Sequence, residues 1–329
     1  MLSKRAVVVG SYVQDHVWQT ADLPAPGESR IGTFSSGPGG KGFNQAVALA
    51  RQLDASADAH FVGALGADSL AVLAKAAASE FGLHCTWIEK SAATAAAAVI
   101  VDASGANLIC VALGANAQLG ADEISQLLAM SLQDNLLAGV LLVQLEIALP
   151  ATKAALVFAN AHAVRSILNP APINPDVSAE LLALADILTP NETEFIFLLA
   201  HLHRYPFSAS DFDDDQALHR AARVLSQGTV VITLGEAGAF VSHGKNLMGD
   251  HTAHYRSASH SVSVVDTTGA GDAFSGGLAA ASLRFSDEPF AAWVAHAMKV
   301  AALSVEANGA ANSMPSFTDV VKRFGSALC

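Results

Sequence analysis

Short apolar runs, mostly of β-branched residues, alternate along the chain with longer segments rich in alanine and leucine. Residues 5–10 are typical of a buried strand, and apolar side chains in residues 41–53 recur at helical spacing. Strands that alternate with helices in this way indicate a mostly parallel sheet covered by helices on both faces. Further strands are predicted at residues 60–65, 139–145, 165–169, 186–189 and 229–234, and further helices at 68–82, 121–133, 150–162, 214–227, 270–283 and beyond Pro289.

Two stretches break this alternation. Residues 17–34 are polar and rich in turn formers, and residues 95–112 are typical of a hairpin with its turn at 102–105. Together they predict a small β-layer beside the main sheet. Residues 201–215 are polar and are expected to form a surface loop. Since no linker or repeat is visible, we predict one domain over residues 1–329 with a lid from about residues 12–36 and 92–112.

The composition supports a large buried core. Hydrophobic residues make up 52% of the chain and charged residues only 15%, which excludes disorder. The 65 alanines predict helices that pack closely on a flat surface. The formal net charge is −12 and no basic block is present, so a nucleic-acid partner is not expected.

The cysteines and the hydropathy pattern predict a cytoplasmic protein. Cys85, Cys110 and Cys329 are widely spaced and form no CxxC, which favours free thiols over a disulfide framework or a zinc site. The longest apolar stretch, residues 136–145, is far shorter than the ~20 residues that a bilayer requires. The N-terminal apolar run stops at Gly10, too early for a signal peptide, so no membrane partner is expected.

The sharpest chemical motif is Val265-Asp-Thr-Thr-Gly-Ala-Gly-Asp272-Ala-Phe, between a strand and a helix. Gly269, Ala270 and Gly271 would present backbone N–H groups at the helix N-terminus, which is a favourable anion site. Asp272, inside the first turn, is also compatible with a simple favourable charge on the helix dipole. Beside a phosphate site, however, it can take a proton from an attacking hydroxyl.

A second glycine motif, Gly39-Gly-Lys-Gly-Phe-Asn44, opens a helix. With Gly37 it matches G-x-G-x-x-G, but it does not follow the first strand and lacks the acidic residue of a dinucleotide site. A Walker A loop is excluded because glycine follows Lys41 where serine or threonine is required. A plain turn and a close backbone approach to a polar ligand both remain open, with Asn44 able to donate and accept.

Other polar residues follow strands, where α/β sheets place ligands. Glu146 follows an apolar run and Asp15 comes just after the first strand. Asn191 and Glu194 are three residues apart, so they share a helix face and could reach hydrated Mg²⁺ or form an ordinary cap. Residues 231–238 run from a strand into glycine turns, which suits a nucleotide contact or a hairpin.

The order of these motifs resembles the ribokinase family, which belongs to the PfkB-type carbohydrate kinases. The resemblance covers about residues 5–320 and rests on Gly10-Ser, Asp15, Gly39-Gly-Lys-Gly-x-Asn44-Gln-Ala, Gln144-Leu-Glu146, Asn169-Pro-Ala-Pro172, Thr189-Pro-Asn-Glu-Thr-Glu194, Thr233-Leu-Gly235 and Asp266-Thr-x-Gly-Ala-Gly-Asp272. It implies a ribokinase-like three-layer α/β/α fold, a mostly parallel central sheet and a small β-sheet lid that closes over a sugar and often forms a homodimer.

The resemblance also implies roles for individual residues. Asp272 would be the general base for attack on the γ-phosphate of ATP, and Gly269, Ala270 and Gly271 would form the anion hole. The sugar would be bound by Val13, Gln14, Asp15, Gly40, Lys41, Gly42, Phe43, Asn44, Glu146 and Asp272. ATP, with Mg²⁺, would be bound by Asn191, Glu194, Thr233, Leu234, Gly235, Glu236, Ala237, Gly238 and Gly271. A monovalent cation, usually K⁺, would be held by Asp266, Thr268, Ser304, Ala307, Gly309 and Ser313.

Two departures from the family pattern concern the sugar. Val13 stands where ribokinase has asparagine, and Phe43 stands where alanine is typical, so we expect Phe43 to narrow the pocket or replace a polar contact. The resulting hypothesis is an ATP-dependent kinase that phosphorylates the 5-hydroxyl of a pentose, with D-ribose as the first choice. The alternatives are 2-deoxyribose, another sugar, a nucleoside, or a non-catalytic sugar- or nucleotide-binding regulator, against which the intact Asp272 motif argues.

Overall fold

The computed structural model describes residues 4–54, 57–133 and 138–326. Its strands are β1 (Lys4–Val9), β2 (Val13–Gln19), β3 (Thr33–Gly39), β4 (Ala57–Gly66), β5 (His84–Lys90), β6 (Ala96–Val101), β7 (Asn107–Ala112), β8 (Ala138–Val143), β9 (Arg165–Leu168), β10 (Ile187–Leu188), β11 (Thr229–Thr233), β12 (Ala239–Ser242) and β13 (His254–Ser257). Its helices are α1 (Lys41–Gln52), α2 (Ser69–Glu80), α3 (Ala121–Gln133), α4 (Leu149–Ala161), α5 (Ala179–Leu182), α6 (Glu192–His203), α7 (Asp215–Leu225), α8 (Ala270–Arg284), α9 (Phe290–Ser304) and α10 (Phe317–Phe324).

Within the described residues, nine strands form the main sheet in the order β13-β12-β11-β10-β9-β8-β1-β4-β5. All neighbours pair in parallel except β11 with β12 and β12 with β13. Because β4 and β8 flank β1 on opposite sides, the chain direction across the sheet reverses between β1 and β8. Open α/β sheets bind ligands at the carboxyl ends of strands beside such a reversal.

Alternate side chains of β1 belong to two different cores. Ala6 and Val8 pack with residues of α1, α2, α8, α9 and α10, whereas Val7 and Val9 pack with residues of α3 to α7. A strand segment that is buried on both faces has to be apolar, as residues 6–9 of β1 are. The three-layer α/β/α architecture predicted from the sequence is thereby confirmed.

Small residues let α1 and α8 pack against each other at close range. A Cβ atom on Gly276 of α8 would lie 2.5 Å from the Gln45 carbonyl oxygen and 2.6 Å from the Ala48 Cβ atom of α1. The close helix packing expected from the alanine-rich composition is therefore present at this contact. It brings the first turns of α1 and α8 together.

A second sheet has the strand order β3-β2-β6-β7. The predicted hairpin is present as β6 and β7, and the Asp102 carboxylate caps its turn by accepting from the Ser104 and Ala106 N–H groups. Strands β2 and β3 form the other half of this sheet. Most of their residues lie outside the turn-rich stretch 17–34, because β2 begins at Val13 and β3 extends to Gly39.

Several elements depart from the sequence prediction. Strands β5, β12 and β13 and helix α5 were not predicted, since none carries a long apolar run. The surface loop predicted at residues 201–215 is wrong in part. Phe207 and Phe212 pack with Phe195 of the core, with ring centroids 5.1–6.2 Å apart, so aromatic residues anchor this polar segment.

No helix among the described residues is long and apolar enough to cross a membrane. Cys85 and Cys110 are free thiols, as predicted, and Cys329 lies outside the described residues.

Candidate active site

Polar side chains from distant parts of the chain converge at the carboxyl ends of the parallel strands. They enclose a cavity of about 150 Å³ lined by Lys41, Asn169, Ala171, Thr189, Asn191, Glu194, Thr233, Thr267, Gly269, Ala270, Gly271 and Asp272. A larger cavity of about 880 Å³, with Arg165 and Thr229 in its wall, lies at the amino ends of the strands and contains none of the motif residues. The chemistry of the motifs therefore belongs to the smaller cavity.

Asp272 lies in the first turn of α8 and its side chain is only 6% exposed. Its Oδ2 atom accepts a hydrogen bond from Asn44 Nδ2 at 3.0 Å, and its Oδ1 atom accepts one from Gln45 Nε2 at 2.9 Å. Burial raises the pKa of Asp272, although Lys41 and the two amides oppose this effect. A buried carboxylate with raised pKa in a cavity is suited to accept a proton.

The loop before α8 shapes the other side of the cavity. Gly269 is the N-cap with φ = 80°, a left-handed conformation that glycine adopts without strain. Apart from its chain neighbours and the adjacent backbone of α8, no atom lies within 4 Å of a Cβ atom placed on Gly271, so a ligand can approach the backbone there. The Ala270 N–H group already donates to the Thr267 carbonyl at 3.2 Å, so the predicted trio does not offer three equivalent donors.

The N-terminus of α1 forms the opposite wall. Gly40, its N-cap, has φ = 90°, and Glu146 Oε2 accepts from the Lys41 N–H group at 2.8 Å and from Ser11 Oγ at 2.5 Å. Burial alone would lower the pKa of the Lys41 ammonium, but the carboxylates of Asp272, Glu146 and Glu194 outweigh it and raise the pKa. Lys41 is therefore a cation at neutral pH that lines the cavity.

Asp15 reaches the site from β2 of the second sheet. It fits because residue 39 is glycine: a Cβ atom there would lie 2.0 Å from Asp15 Oδ2. Burial and the charges of Glu146 and Asp272 raise the pKa of Asp15 to about 6. Asp15 adds a fourth carboxylate to the three that act on Lys41, which leaves the site short of positive charge for an anion.

Asn191 and Glu194 form a capping box at the start of α6. Glu194 N donates to Asn191 Oδ1 at 2.8 Å, and Asn191 N donates to Glu194 Oε2 at 2.9 Å. Asn191 and Glu194 also line the cavity, so an ordinary helix cap and a contact to hydrated Mg²⁺ are compatible roles for this pair. Burial raises the pKa of Glu194, which the Asn191 N–H group and Lys41 oppose.

Comparison with known proteins decides the family. The model for the pfkB family carbohydrate kinases matches residues 3–316. The chain belongs to this family. It is 35% identical to the ribokinase of Haemophilus influenzae over 322 residues, 96% of each chain. It is 29% identical to the deoxyribokinase of Salmonella typhimurium, covering 94% of this chain and 95% of the relative.

Among solved structures, the chain is similar to Arabidopsis thaliana ribokinase complexed with ribose and ATP, with a TM-score of 0.78 and 27% identity over 98% of each chain. The family resemblance inferred from the motifs is confirmed. As a member of the pfkB family, the protein is a phosphotransferase that acts on an alcohol group of a carbohydrate.

Two residues assigned to the sugar in this pfkB family member point their side chains elsewhere. Phe43 is fully buried in the core, where its ring makes edge contacts with Tyr12, Phe61 and Phe81. Phe43 lies on the inner face of α1, so the prediction that it narrows the pocket is wrong.

The Gln14 amide is the second of these side chains. It accepts from Tyr12 Oη and donates to Ser36 Oγ and the Gly37 carbonyl oxygen, on the face of β2 opposite Asp15. Val13 is on the Asp15 face of that strand and is 2% exposed.

The predicted nucleotide segment follows β11. Thr233 lines the cavity, whereas Gly235, Glu236 and Ala237 form an exposed 3₁₀ turn. Gly238 closes this turn with φ = 91°, and a Cβ atom there would lie 2.1 Å from the Ser257 carbonyl oxygen. The segment is thus held rigidly next to the cavity, and Leu234 is buried beneath it.

Apart from Ser304, the last residue of α9, the predicted cation residues lie on two loops that the structure joins. Asp266 Oδ1 accepts from Thr268 N, and its Oδ2 accepts from Gly309 N, both at 2.9 Å. The Ser304 hydroxyl donates to the Ala301 carbonyl within α9, and the Ser313 hydroxyl donates to the Ala310 carbonyl. No three His, Cys, Asp or Glu side chains converge on a metal position in the part of the chain that the structure describes. Backbone carbonyls, including that of Ala307, would have to supply a cation site.

Four polar residues at the site had no predicted role. Gln45, Gln144, Asn169 and Thr189 are buried, and hydrogen bonds link them to Asp272 or to one another. Gln144, Asn169 and Thr189 each stand at or just after the carboxyl end of a parallel strand. The signal in the sequence was a polar residue at the end of each predicted strand, followed by proline in the case of Asn169 and Thr189.

Proposed function

We propose that the protein is an ATP-dependent kinase that phosphorylates the primary hydroxyl of a pentose, with D-ribose giving ribose 5-phosphate. The observation that carries this proposal is the buried Asp272 carboxylate, which lies beside the glycine loop of α8 and faces a small cavity with Lys41. The ribose and ATP bound to the Arabidopsis relative support the choice of substrates.

In the proposed reaction, Asp272 takes the proton of the sugar hydroxyl as the hydroxyl oxygen attacks the γ-phosphorus in line. The bond from this phosphorus to the bridging oxygen breaks, and ADP leaves with the electron pair. Lys41 and the N-terminus of α8 stabilise the charge on the transferring group. Asp15 and Asn44, whose Oδ1 atom is buried without a partner, bind sugar hydroxyls.

Mg²⁺ would be held mainly through water by Glu194 and Asn191, whose carboxylate and amide oxygens suit a hard cation. When bound, it neutralises charge on the phosphates. K⁺ would be held by carbonyl oxygens of the joined loops that contain Asp266 and Gly309. ATP would extend from Gly271 along Thr233 and the turn after it.

The second sheet would close over the sugar as the lid, because it carries Asp15. The face of this sheet opposite Asp15 exposes apolar side chains, which monomers seldom expose as one patch: Trp18, Phe34 and Leu108 are 39–56% exposed. We propose that this surface forms a homodimer. A lower mass in solution for a Leu108→Lys variant than for the parent would support this, and a monomeric mass for the parent would contradict it.

A second candidate substrate is 2-deoxyribose. Val13 lies on the same face of β2 as Asp15, yet its side chain cannot pair with a hydroxyl. A deoxyribokinase is also among the relatives.

ADP release measured against a panel of pentoses, hexoses and nucleosides tests the proposal. Ribose or 2-deoxyribose should give the highest kcat/KM, and the Asp272→Asn variant serves as the control. Preference for a hexose or nucleoside would overturn the pentose assignment.

A further inference from the structure

The amide of Gln45 lies between the catalytic carboxylate and the main sheet. Gln45 is fully buried, and its Nε2 atom donates to Asp272 Oδ1 at 2.9 Å and to Asn169 Oδ1 at 3.0 Å. Gln144 Nε2 donates to Gln45 Oε1 at 2.5 Å. Both protons and the oxygen of this amide are therefore used, and its donor side must face Asp272.

Rigid elements hold the partners of Gln45. Asn169 Nδ2 donates to the Thr189 carbonyl at 2.8 Å, and the Gln144 carbonyl accepts from Thr152 Oγ1 at 3.1 Å. Gln144 and Asn169 follow the neighbouring parallel strands β8 and β9. The orientation of the Gln45 amide is thus set by the main sheet and not by Asp272 itself.

The carboxylate needs this partner because the site gives Asp272 little access to water. Without Gln45, Oδ1 would be a buried acceptor with no donor, and the carboxylate would turn away or take up a proton. We propose that Gln45 is a positioning residue that holds Asp272 in the orientation from which it accepts the proton of the sugar hydroxyl. This inference rests on the proposed function and adds a residue to it that contacts neither substrate.

The electrostatic surroundings fix the direction of the expected pH effect. Lys41, Asp15, Glu146 and Glu194 are the titratable groups around Asp272, and of these only Lys41 is a cation. The Gln45 hydrogen bond lowers the pKa of Asp272, as Lys41 does. Its loss should therefore raise this pKa and move the acidic limb of the kcat profile to higher pH.

The test compares Gln45→Met with Gln52→Met as a matched control. Gln52 lies on the same helix, is also fully buried, and donates to the Pro315 carbonyl at 2.7 Å, away from the site. Gln45→Met should lower kcat on the order of tenfold to a hundredfold, as a misplaced reacting group does, with the sugar KM nearly unchanged. The acidic limb of the kcat profile of Gln45→Met should move to higher pH, whereas Gln52→Met should keep the kcat and the pH profile of the parent.

Equal kcat and equal pH profiles for the two variants would overturn the proposal, and so would a loss confined to KM. If Gln45→Met does not fold, Gln144→Met frees the Gln45 oxygen and leaves both bonds to Asp272 in place. This variant should also lower kcat, by a smaller factor, and move the acidic limb of the kcat profile to higher pH. An unchanged kcat and an unchanged acidic limb would overturn the proposal. Carboxyl-carbon NMR of Asp272 measures the same pKa rise without turnover. A parent inactive on every pentose would instead refute the proposed function.

Discussion

Asn44 donates a 3.0 Å hydrogen bond to Asp272 Oδ2 across the contact between α1 and α8. The two residues are 228 positions apart in the sequence. They meet because Gly276 lets the two helices approach until a Cβ atom would collide with the Gln45 carbonyl. The two glycine motifs found in the sequence therefore belong to one site, with the Asn44 amide and the Asp272 carboxylate in direct contact.

Asp272→Asn should lower kcat by roughly 10²–10⁴, the usual range for loss of a general base. An amide of the same shape cannot accept the hydroxyl proton, but it still occupies the space between Asn44 and Gln45. Affinities for the sugar and for ATP, measured by calorimetry, should therefore change little. Full turnover in this variant would exclude Asp272 as the base.

Glu194→Gln should weaken Mg²⁺-dependent turnover more than sugar affinity. Glutamine can still accept from the Asn191 N–H group, so the capping box survives and only the charge is removed. The Mg²⁺ concentration that gives half-maximal activity should rise, whereas the melting temperature should stay at that of the parent. If added Mg²⁺ had no effect and sugar affinity fell instead, Glu194 would belong to the sugar site.

The elements that the sequence predicts well are those with local signals. Helix α3 has the predicted bounds, and α2 begins after Asp68, which accepts from Ala71 N as an N-cap does. The positions of Phe43 and Gln45 were not predictable in the same way. Both residues lie in the first turns of α1, yet Phe43 packs in the core and Gln45 reaches Asp272. The angle at which α1 meets α8 decides which face of α1 is turned toward Asp272.

Asp15→Asn should stabilise the protein at neutral pH. The pKa of Asp15 is raised from 3.8 to about 6 in the fold, so the folded state binds more protons than the unfolded state between these values. Stability contributed by protonated Asp15 is present in acid and is lost as the pH rises through about 6. The free energy of unfolding should rise at neutral pH by at most about 3 kcal/mol, at roughly 1.4 kcal/mol per pKa unit.

The same variant should gain nothing at a pH below the unfolded value, and its sugar affinity should fall. Asp22→Asn, at an exposed position, provides the control and should change neither quantity. Denaturant unfolding at the two pH values measures the effect. An equal gain at both values would mean that the Asp15 charge is not the cause.

Replacing Na⁺ with K⁺ at equal ionic strength should raise activity severalfold. Asp266 joins its own loop to Gly309, and the first loop ends at the anion site of α8, so ordering one loop orders the other. Asp266→Asn removes the charge from this junction and should weaken the response to K⁺. Rates that do not depend on the cation would show that these carbonyls bind none.

The last prediction concerns discrimination between ribose and 2-deoxyribose. Val13 packs against Ala95 and Ala97 on the face of β2 that carries Asp15, and its side chain offers no hydrogen bond. A sugar hydroxyl buried there without a partner costs on the order of 1–3 kcal/mol, so preference for the sugar that has it should be weak. The parent should therefore use ribose and 2-deoxyribose with comparable kcat/KM.

Val13→Asn restores an amide at this position and should increase the ribose preference roughly tenfold or more, the equivalent of the hydrogen bond gained. Val17→Asn, on the same face and farther along β2, is the matched control and should leave the ratio unchanged. Competition between the two sugars in one assay measures the ratio directly. A parent already strongly selective for ribose, with no gain in Val13→Asn, would mean that backbone or water pairs with the hydroxyl and that Val13 does not set the substrate.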